Sequence, residues 1–437
     1  MRHIGITNAA IFLLLLVSMI SCNKKDPWPP WPPVENPTDY RLLTSDLPRD
    51  EDPAVPPGEL SEVVDGNISF ACDLYKELVT PDANMFFSPF SISQAMAMIY
   101  SGARGNTETQ IADTMHFTVG QNRLHPAFNH LDLELQSRGQ GAKGKDGEPF
   151  RLHIANSAWG QEGWTWQQQF IDTLGVQYGS GMRLVDFLTQ PEQCRQTINE
   201  WVEWRTEYRI TELMPEGVIN SDTVLVLVNA IYFNAAWLKL FDEKDTHDGP
   251  FYLLDDSTVM VPLMEQKEEH GYTQGDGYQA VELLYDGEEI SMVIILPEID
   301  RFEEIESMLS TEFIDGITGG LEEYSVSLTL PRFECESEFS LANTFFGMGM
   351  EDAYIPGVAD FSGMDGSRAL FITDVVHKGW VAVSETGTEA AAATGGSFGS
   401  TSAPQTMYFR ADHPFIFFIR DVETETILFV GRILDPS

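Results

Sequence analysis

From about Leu60 onward, the apolar positions of this chain recur with two spacings. Three-and-four spacing marks helices. Ile92, Ala95, Met96 and Ile99 share one helical face, and Ser88-Pro89 ahead of them supplies a capping hydroxyl and a proline suited to a first turn. Ile198, Trp201 and Val202 predict a second amphipathic helix over Gln193–Arg205. Continuous β-branched runs mark strands. Thr223–Phe233 is too apolar and too β-branched for a surface helix and predicts a strand buried on both faces. Ile290–Leu296, Val326–Leu330, Phe371–Val376 and Trp380–Val383 read as further strands. Phe415–Ile419 and Ile427–Ile433 read as a hairpin turning over Asp421–Glu425. Helices and strands interleave irregularly, which predicts an α+β domain. No proline-rich break and no fixed-period repeat interrupts residues 60–437, so one domain is expected there. Gly139–Gly147 has the composition of a surface loop.

The first 59 residues follow different rules. Arg2 precedes an apolar run, Ala9–Ile20, that is short for a bilayer span. The run ends at Ser21-Cys22, and a small residue before cysteine at that point resembles a bacterial lipoprotein signal. Residues 1–21 are then an export signal and Cys22 the acylated mature N-terminus, in preference to an ordinary cleaved signal or an uncleaved anchor. Lipid on Cys22 would hold the protein at a membrane, facing the periplasm or the cell surface. Ten prolines between Asp26 and Pro57 disfavour helix and sheet alike, so residues 22–59 are expected to be an extended tether.

Charge narrows the range of partners. The 437 residues include 67 acidic and 26 basic side chains, a formal net charge of −41. Residues 1–59 hold five basic and eight acidic side chains, so the excess belongs to the domain. Such a surface repels phosphate backbones and argues against nucleic acid and glycosaminoglycan partners. Motifs for phosphate binding or metal catalysis are missing: there is no phosphate loop, His-Glu-x-x-His or Cys-x-x-Cys. His125 and His130 lack carboxylates at metal-ligand spacing, and neither a metal nor a cofactor is expected. With Cys22 assigned to lipid, Cys72, Cys194 and Cys335 read as buried free thiols.

The most informative stretch is Glu385–Ser402. Its small side chains suit a crowded sheet, and its alternation puts Thr388, Ala390, Ala392 and Thr394 on one face and Glu389 on the other. A shift by one residue would bury Glu389, so a single insertion register is acceptable. Together with Asn84–Ser93, Ser101–Thr107, Leu227–Phe233, Leu330–Phe333, His377–Val381 and Phe409–Phe415, this stretch makes the chain from Leu60 to Pro436 resemble the serpins, a family of serine protease inhibitors.

The resemblance implies three β-sheets surrounded by about eight or nine helices, with an exposed reactive-centre loop. It implies a single-use trap. A protease attacks the loop, and the freed hinge enters the central sheet as a new strand. The residues that match the hinge are Glu385, Gly387, Thr388, Ala390, Ala391, Ala392, Ala393 and Thr394. Thr401-Ser402 matches the reactive bond, within a range from Ser400 to Ala403. Ser88, Ser91, Asn229 and His377 match the family's shutter beneath the sheet, and Trp237, Arg332 and Glu385 its breach at the insertion point. Lys and Arg are absent from Thr388 to Phe409, which disfavours trypsin-like targets and fits an elastase-like or broad serine protease, a cysteine protease being the cross-class option. Gly395, Gly396 and Gly399 depart from the pattern, each costing an inserted strand up to about 1 kcal/mol relative to alanine. The expected product is a covalent complex between a monomeric inhibitor and its target protease. The competing expectation is a non-inhibitory serpin that binds or carries a ligand.

Overall fold

A computed structural model describes residues 36–140, 142, 151–388 and 406–437. The export signal, Cys22, most of Gly139–Gly147, Ala390–Thr394 and Thr401-Ser402 lie outside the described residues.

A long first helix, α1 (Pro57–Leu78), precedes the buried helix α2 (Pro89–Tyr100). Ser88 caps α2 by accepting a hydrogen bond from the Ser91 backbone N–H, with Pro89 in its first turn. Helices α3 (Gly105–Thr114), α4 (Gln121–Ser137), α5 (Gln168–Tyr178) and α6 (Pro191–Arg205) follow. The described residues contain ten α-helical segments, and Phe302–Ser307, Ala342–Gly347 and Ser362–Asp365 span six residues or fewer.

The central sheet has seven strands in the order β1 (Arg41–Leu43), β4 (Met182–Val185), β3 (Arg151–Gln161), β5 (Leu225–Ala236), β13 (Gly387–Thr388), β12 (Val375–Ser384) and β11 (Phe333–Ser340). All twelve residues of β5 are buried, as its unbroken apolar run predicts. The other sheets merge into one network of nine strands. Eight lie in the order β14 (Thr406–Arg410), β10 (Glu322–Pro331), β7 (Thr258–Gly275), β8 (Tyr278–Leu284), β9 (Ile290–Pro297), β15 (Phe415–Asp421), β16 (Ile427–Ile433) and β2 (Met85–Phe87), with β6 (His247–Tyr252) paired to β7. The merger has a simple cause. Strand β7 is 18 residues long, pairing with β6 at its start, β10 through its middle and β8 at its end. The main core lies between the two sheets and the helices. A second core packs α6, through Ile198, Trp201 and Val202, onto Trp159, Val226, Val228 and Val376 of the central sheet.

Two expectations need correction. Phe371–Val376 and Trp380–Val383 are not separate strands: one strand, β12, runs from Val375 to Ser384, and Phe371–Asp374 lies before it. Gly379, which looks like a break, is the point where Phe86 presses on the strand, 3.0 Å from where a Cβ would stand. The tether also ends earlier than residue 59. The compact unit begins at Asn36, β1 extends the central sheet through β4, and α1 starts at Pro57. Long-range side-chain bonds fasten this segment: Arg49 to Asp132 at 2.5 Å and Ser45 to Asp172 at 2.5 Å. Cys72, Cys194 and Cys335 are buried and unpaired.

Candidate functional site

The site is a line running down the centre of the seven-stranded sheet. At the lower part of that line β5 and β12 pair directly and in parallel, Leu227–Ile231 against Val375–Gly379. At the upper part β13 separates them. Thr388 pairs antiparallel with Val383 on one side and Ala235 on the other, and Gly387 with Ser384 and Ala236. The hinge therefore leaves β12 by a tight turn over Glu385-Thr386 and re-enters the sheet as its own strand.

Glycine is required at the turn. Gly387 has φ +142°, and a Cβ there would lie 2.1 Å from the Ala235 carbonyl oxygen. Thr388 is fully buried, and its Oγ1 lies 2.8 Å from the Tyr285 hydroxyl. Of the four residues assigned to the inward face, Thr388 is the one within the described residues. Tyr285 stacks on Trp237 at 4.4 Å between ring centroids and meets Phe233 edge-on at 5.0 Å. The Trp237 indole donates to the Ser384 carbonyl at 3.0 Å, and its backbone N–H to the Thr386 carbonyl at 2.9 Å.

Glu385 anchors the same turn. Its side chain is buried, takes hydrogen bonds from Arg332 Nε at 2.7 and 2.8 Å, and pairs again with Arg332 Nη2. Thr246 donates to it at 2.5 Å, and the Phe241 N–H donates to its carbonyl at 2.8 Å. Burial opposes ionisation of Glu385, but the Arg332 and Thr246 hydrogen bonds outweigh it and hold the carboxyl below the usual range. Trp237, Arg332 and Glu385 thus meet at the hinge. Thr246, Phe241 and Tyr285 join them without any sequence signal, since they come from distant loops and the start of the β8–β9 turn.

Lower on the line, a row of polar side chains crosses three strands. Asn156 of β3 stands opposite Asn229 of β5, and Asn229 opposite His377 of β12. The Ser88 N–H donates to His377 Nε2 at 3.1 Å, so His377 Nδ1 carries the proton it gives to Asn229 Oδ1. Asn229 Nδ2 donates to Ser91 Oγ at 2.7 Å and to Asn156 Oδ1 at 2.6 Å. Asn156 Nδ2 then donates to Gln94 Oε1 at 2.8 Å, and Ser88 Oγ to the Leu428 carbonyl at 2.6 Å. Burial pushes His377 down to about 3, so the ring is neutral. Ser88, Ser91, Asn229 and His377 are brought together here. Asn156 and Gln94 complete the network, and the period of their own segments gives no hint of it. A nucleophile would need an oriented base and solvent access; Ser88, Ser91, Asn229 and His377 are each committed to a structural bond and buried. These cross-strand bonds hold β5 to β12 directly below the end of β13.

Comparison with known proteins agrees with this architecture. The family model for serpins (serine protease inhibitors) matches residues 65–436. An uncharacterized serpin-like protein of Thermococcus kodakarensis is 39% identical over 397 residues, covering 90% of each chain. The human leukocyte elastase inhibitor is 38% identical over 388 residues, covering 86% of this chain and all of that protein. Human thyroxine-binding globulin, solved with thyroxine bound, superposes with a TM-score of 0.77 at 27% identity, covering 87% of this chain and all of that one. This chain belongs to the serpin family.

Proposed function

We propose that the protein is an inhibitory serpin, a substrate-like trap for a serine endopeptidase of elastase-like or broad specificity, with cysteine proteases as the cross-class option. The observation that carries the proposal is the hinge itself. Gly387-Thr388 is already seated as an antiparallel strand between β5 and β12, with a small, uncharged side chain buried on the inward face. The sequence continues with Ala390, Ala391, Ala392, Ala393 and Thr394, all small enough to follow it into the sheet.

In this reading the protease serine attacks the Thr401 carbonyl. The Thr401–Ser402 C–N bond breaks, Ser402 leaves as an amine carrying a proton, and Thr401 stays as an ester on the protease. The freed strand then zips downward from Thr388, parting β5 from β12 and opening the Asn229–His377 contact. Similarity to leukocyte elastase inhibitors and the lack of a cation between Thr388 and Phe409 support the choice of target. The likeness to thyroxine-binding globulin favours a second reading, a carrier or binding serpin. A charged or bulky inward residue in the hinge would have favoured it, and residues 388–394 have none. We propose further that the domain is monomeric, exported, and held at a membrane by lipid on Cys22.

The test is incubation with elastase, chymotrypsin, trypsin and papain, read on denaturing gels and by residual protease activity. The expected result is a denaturant-resistant complex with elastase, and release of a peptide beginning at Ser402. Cleavage near Thr401 with full activity surviving in every protease would refute the inhibitory reading.

A further inference from the structure

Towards the β1–β4 edge of the central sheet lies a cavity of about 540 Å3, lined by none of the hinge residues but sharing Gln94 and Asn156 with the polar network. Its walls come from the segment before α1 and from α2, α4, α5, α6, β3 and β4. Three guanidiniums line it, Arg49, Arg183 and Arg205, against one carboxylate, Asp132. That carboxylate is already satisfied: Arg49 pairs with it at 2.5 Å, and Gln94 and Gln136 donate to it at 3.2 and 2.6 Å. Arg183 and Arg205 are thus left without a salt bridge among the described residues. Buried Nε and Nη1 atoms of Arg183, and Nε of Arg205, have no hydrogen-bond acceptor. Arg183 lies over Trp201 at 4.4 Å, beside Tyr40 and Trp159, and reaches the Tyr40 hydroxyl. Arg205 donates to the Ile154 carbonyl at 3.4 Å and lies 5.7 Å from the Trp204 ring centroid.

This is an unusual placement. The chain has 67 carboxylates, yet two partly buried cations share a cavity with none to spare. Burial disfavours the charge on each, and the neighbouring Arg205 adds repulsion at Arg183; Tyr40 at Arg183 and Asp132 at Arg205 offset this in part. A partly buried charge with unfilled donors gains when a counter-charge arrives. Guanidiniums match planar or tetrahedral oxyanions with two parallel donors. The cavity is of the size that holds small molecules, and Met98, Ile154 and Trp201 offer it an apolar wall.

We propose that this cavity binds a small organic anion, with a carboxylate, sulfate or phosphate group held by Arg183 and Arg205 and an apolar portion against Trp201. The test uses the folded chain, with benzoate and inorganic phosphate titrated separately at constant ionic strength. Binding is read by calorimetry and by tryptophan fluorescence. The expected result is saturable binding of one equivalent, with benzoate tighter than phosphate because only it covers the apolar wall. Arg205→Gln weakens binding by about tenfold or more, and Arg205→Lys by less. Arg183→Gln has the same effect, and its melting temperature checks that it folds. Absence of saturation at millimolar concentrations by either probe overturns the proposal. So does saturation with unchanged affinity in both glutamine variants, which would place the anion elsewhere.

Discussion

Replacing Thr388 by arginine tests the insertion register most directly. The side chain is fully buried, and its hydroxyl meets Tyr285 beneath the Trp237 ring. Arginine there loses that hydrogen bond, about 1 kcal/mol, and brings a guanidinium into an aromatic pocket where no carboxylate of the described residues bonds Thr388 Oγ1, at an effective cost of several kcal/mol. The sum, on the order of 4 kcal/mol, opposes the first step of insertion. Each 1.4 kcal/mol is a factor of ten, so insertion slows by roughly 10²–10³. Trapping competes with hydrolysis of the acyl-enzyme, and a delay of that size lets hydrolysis win. The assay is the stoichiometry of inhibition against elastase, together with the fraction of denaturant-resistant complex. The arginine variant should be cleaved as a substrate at an unchanged rate while the complex disappears. Thr388→Ser keeps the hydroxyl and should inhibit like the parent, and Thr388→Val should lose only about 1 kcal/mol. An arginine variant that traps elastase at the parental stoichiometry would refute the register argued here.

Gly387→Ala should unseat the turn, because the new Cβ would collide with the Ala235 carbonyl; faster amide exchange at Gly387 and Thr388 in the unreacted protein is the measurement. His377 is neutral when folded, with its value pushed down to about 3 by burial, so its contribution to stability is complete above the ordinary histidine value and is lost as pH falls toward 3. His125 and His270, each lowered to about 4 by burial, act in the same direction. Denaturant stability should therefore decline from pH 7 to pH 4, and His377→Gln should lessen the slope by up to about 1.4 kcal/mol per pH unit. Cys22→Ala should move the protein from the membrane to the soluble fraction after cell lysis; retention in the membrane would point to an uncleaved apolar anchor.

The parts of the site legible in the sequence are those whose residue type is itself a physical demand. Small residues after Gly387 suit a strand that must slide, and Asn229 in an apolar strand announces a buried polar partner. Illegible were the partners. Nothing near Asn156 or Gln94 marks them as members of the Asn229–His377 network, because strand register, not local pattern, sets them opposite one another. Tyr285 and Thr246 are unremarkable loop-end residues until the chain brings them to the hinge. The segment before α1 is similar: its prolines suggest extension, and the pairing of β1 with β4 and the bonds of Arg49 and Ser45 to α4 and α5 make it part of the domain.

Local chemistry was enough to settle the α+β class, the buried strand β5, the capped start of α2 and the terminal hairpin, because periodicity and capping act over a few residues. The family motifs added the expectation of a mobile hinge. Tertiary structure alone decided how far that hinge enters the sheet, which side chains receive it, and where β5 and β12 close beneath it. Those depend on contacts between residues scores to hundreds of positions apart, as between Tyr285 and Thr388 or Ser88 and His377. The energies that hold such contacts have no counterpart in the periodicity of any one segment.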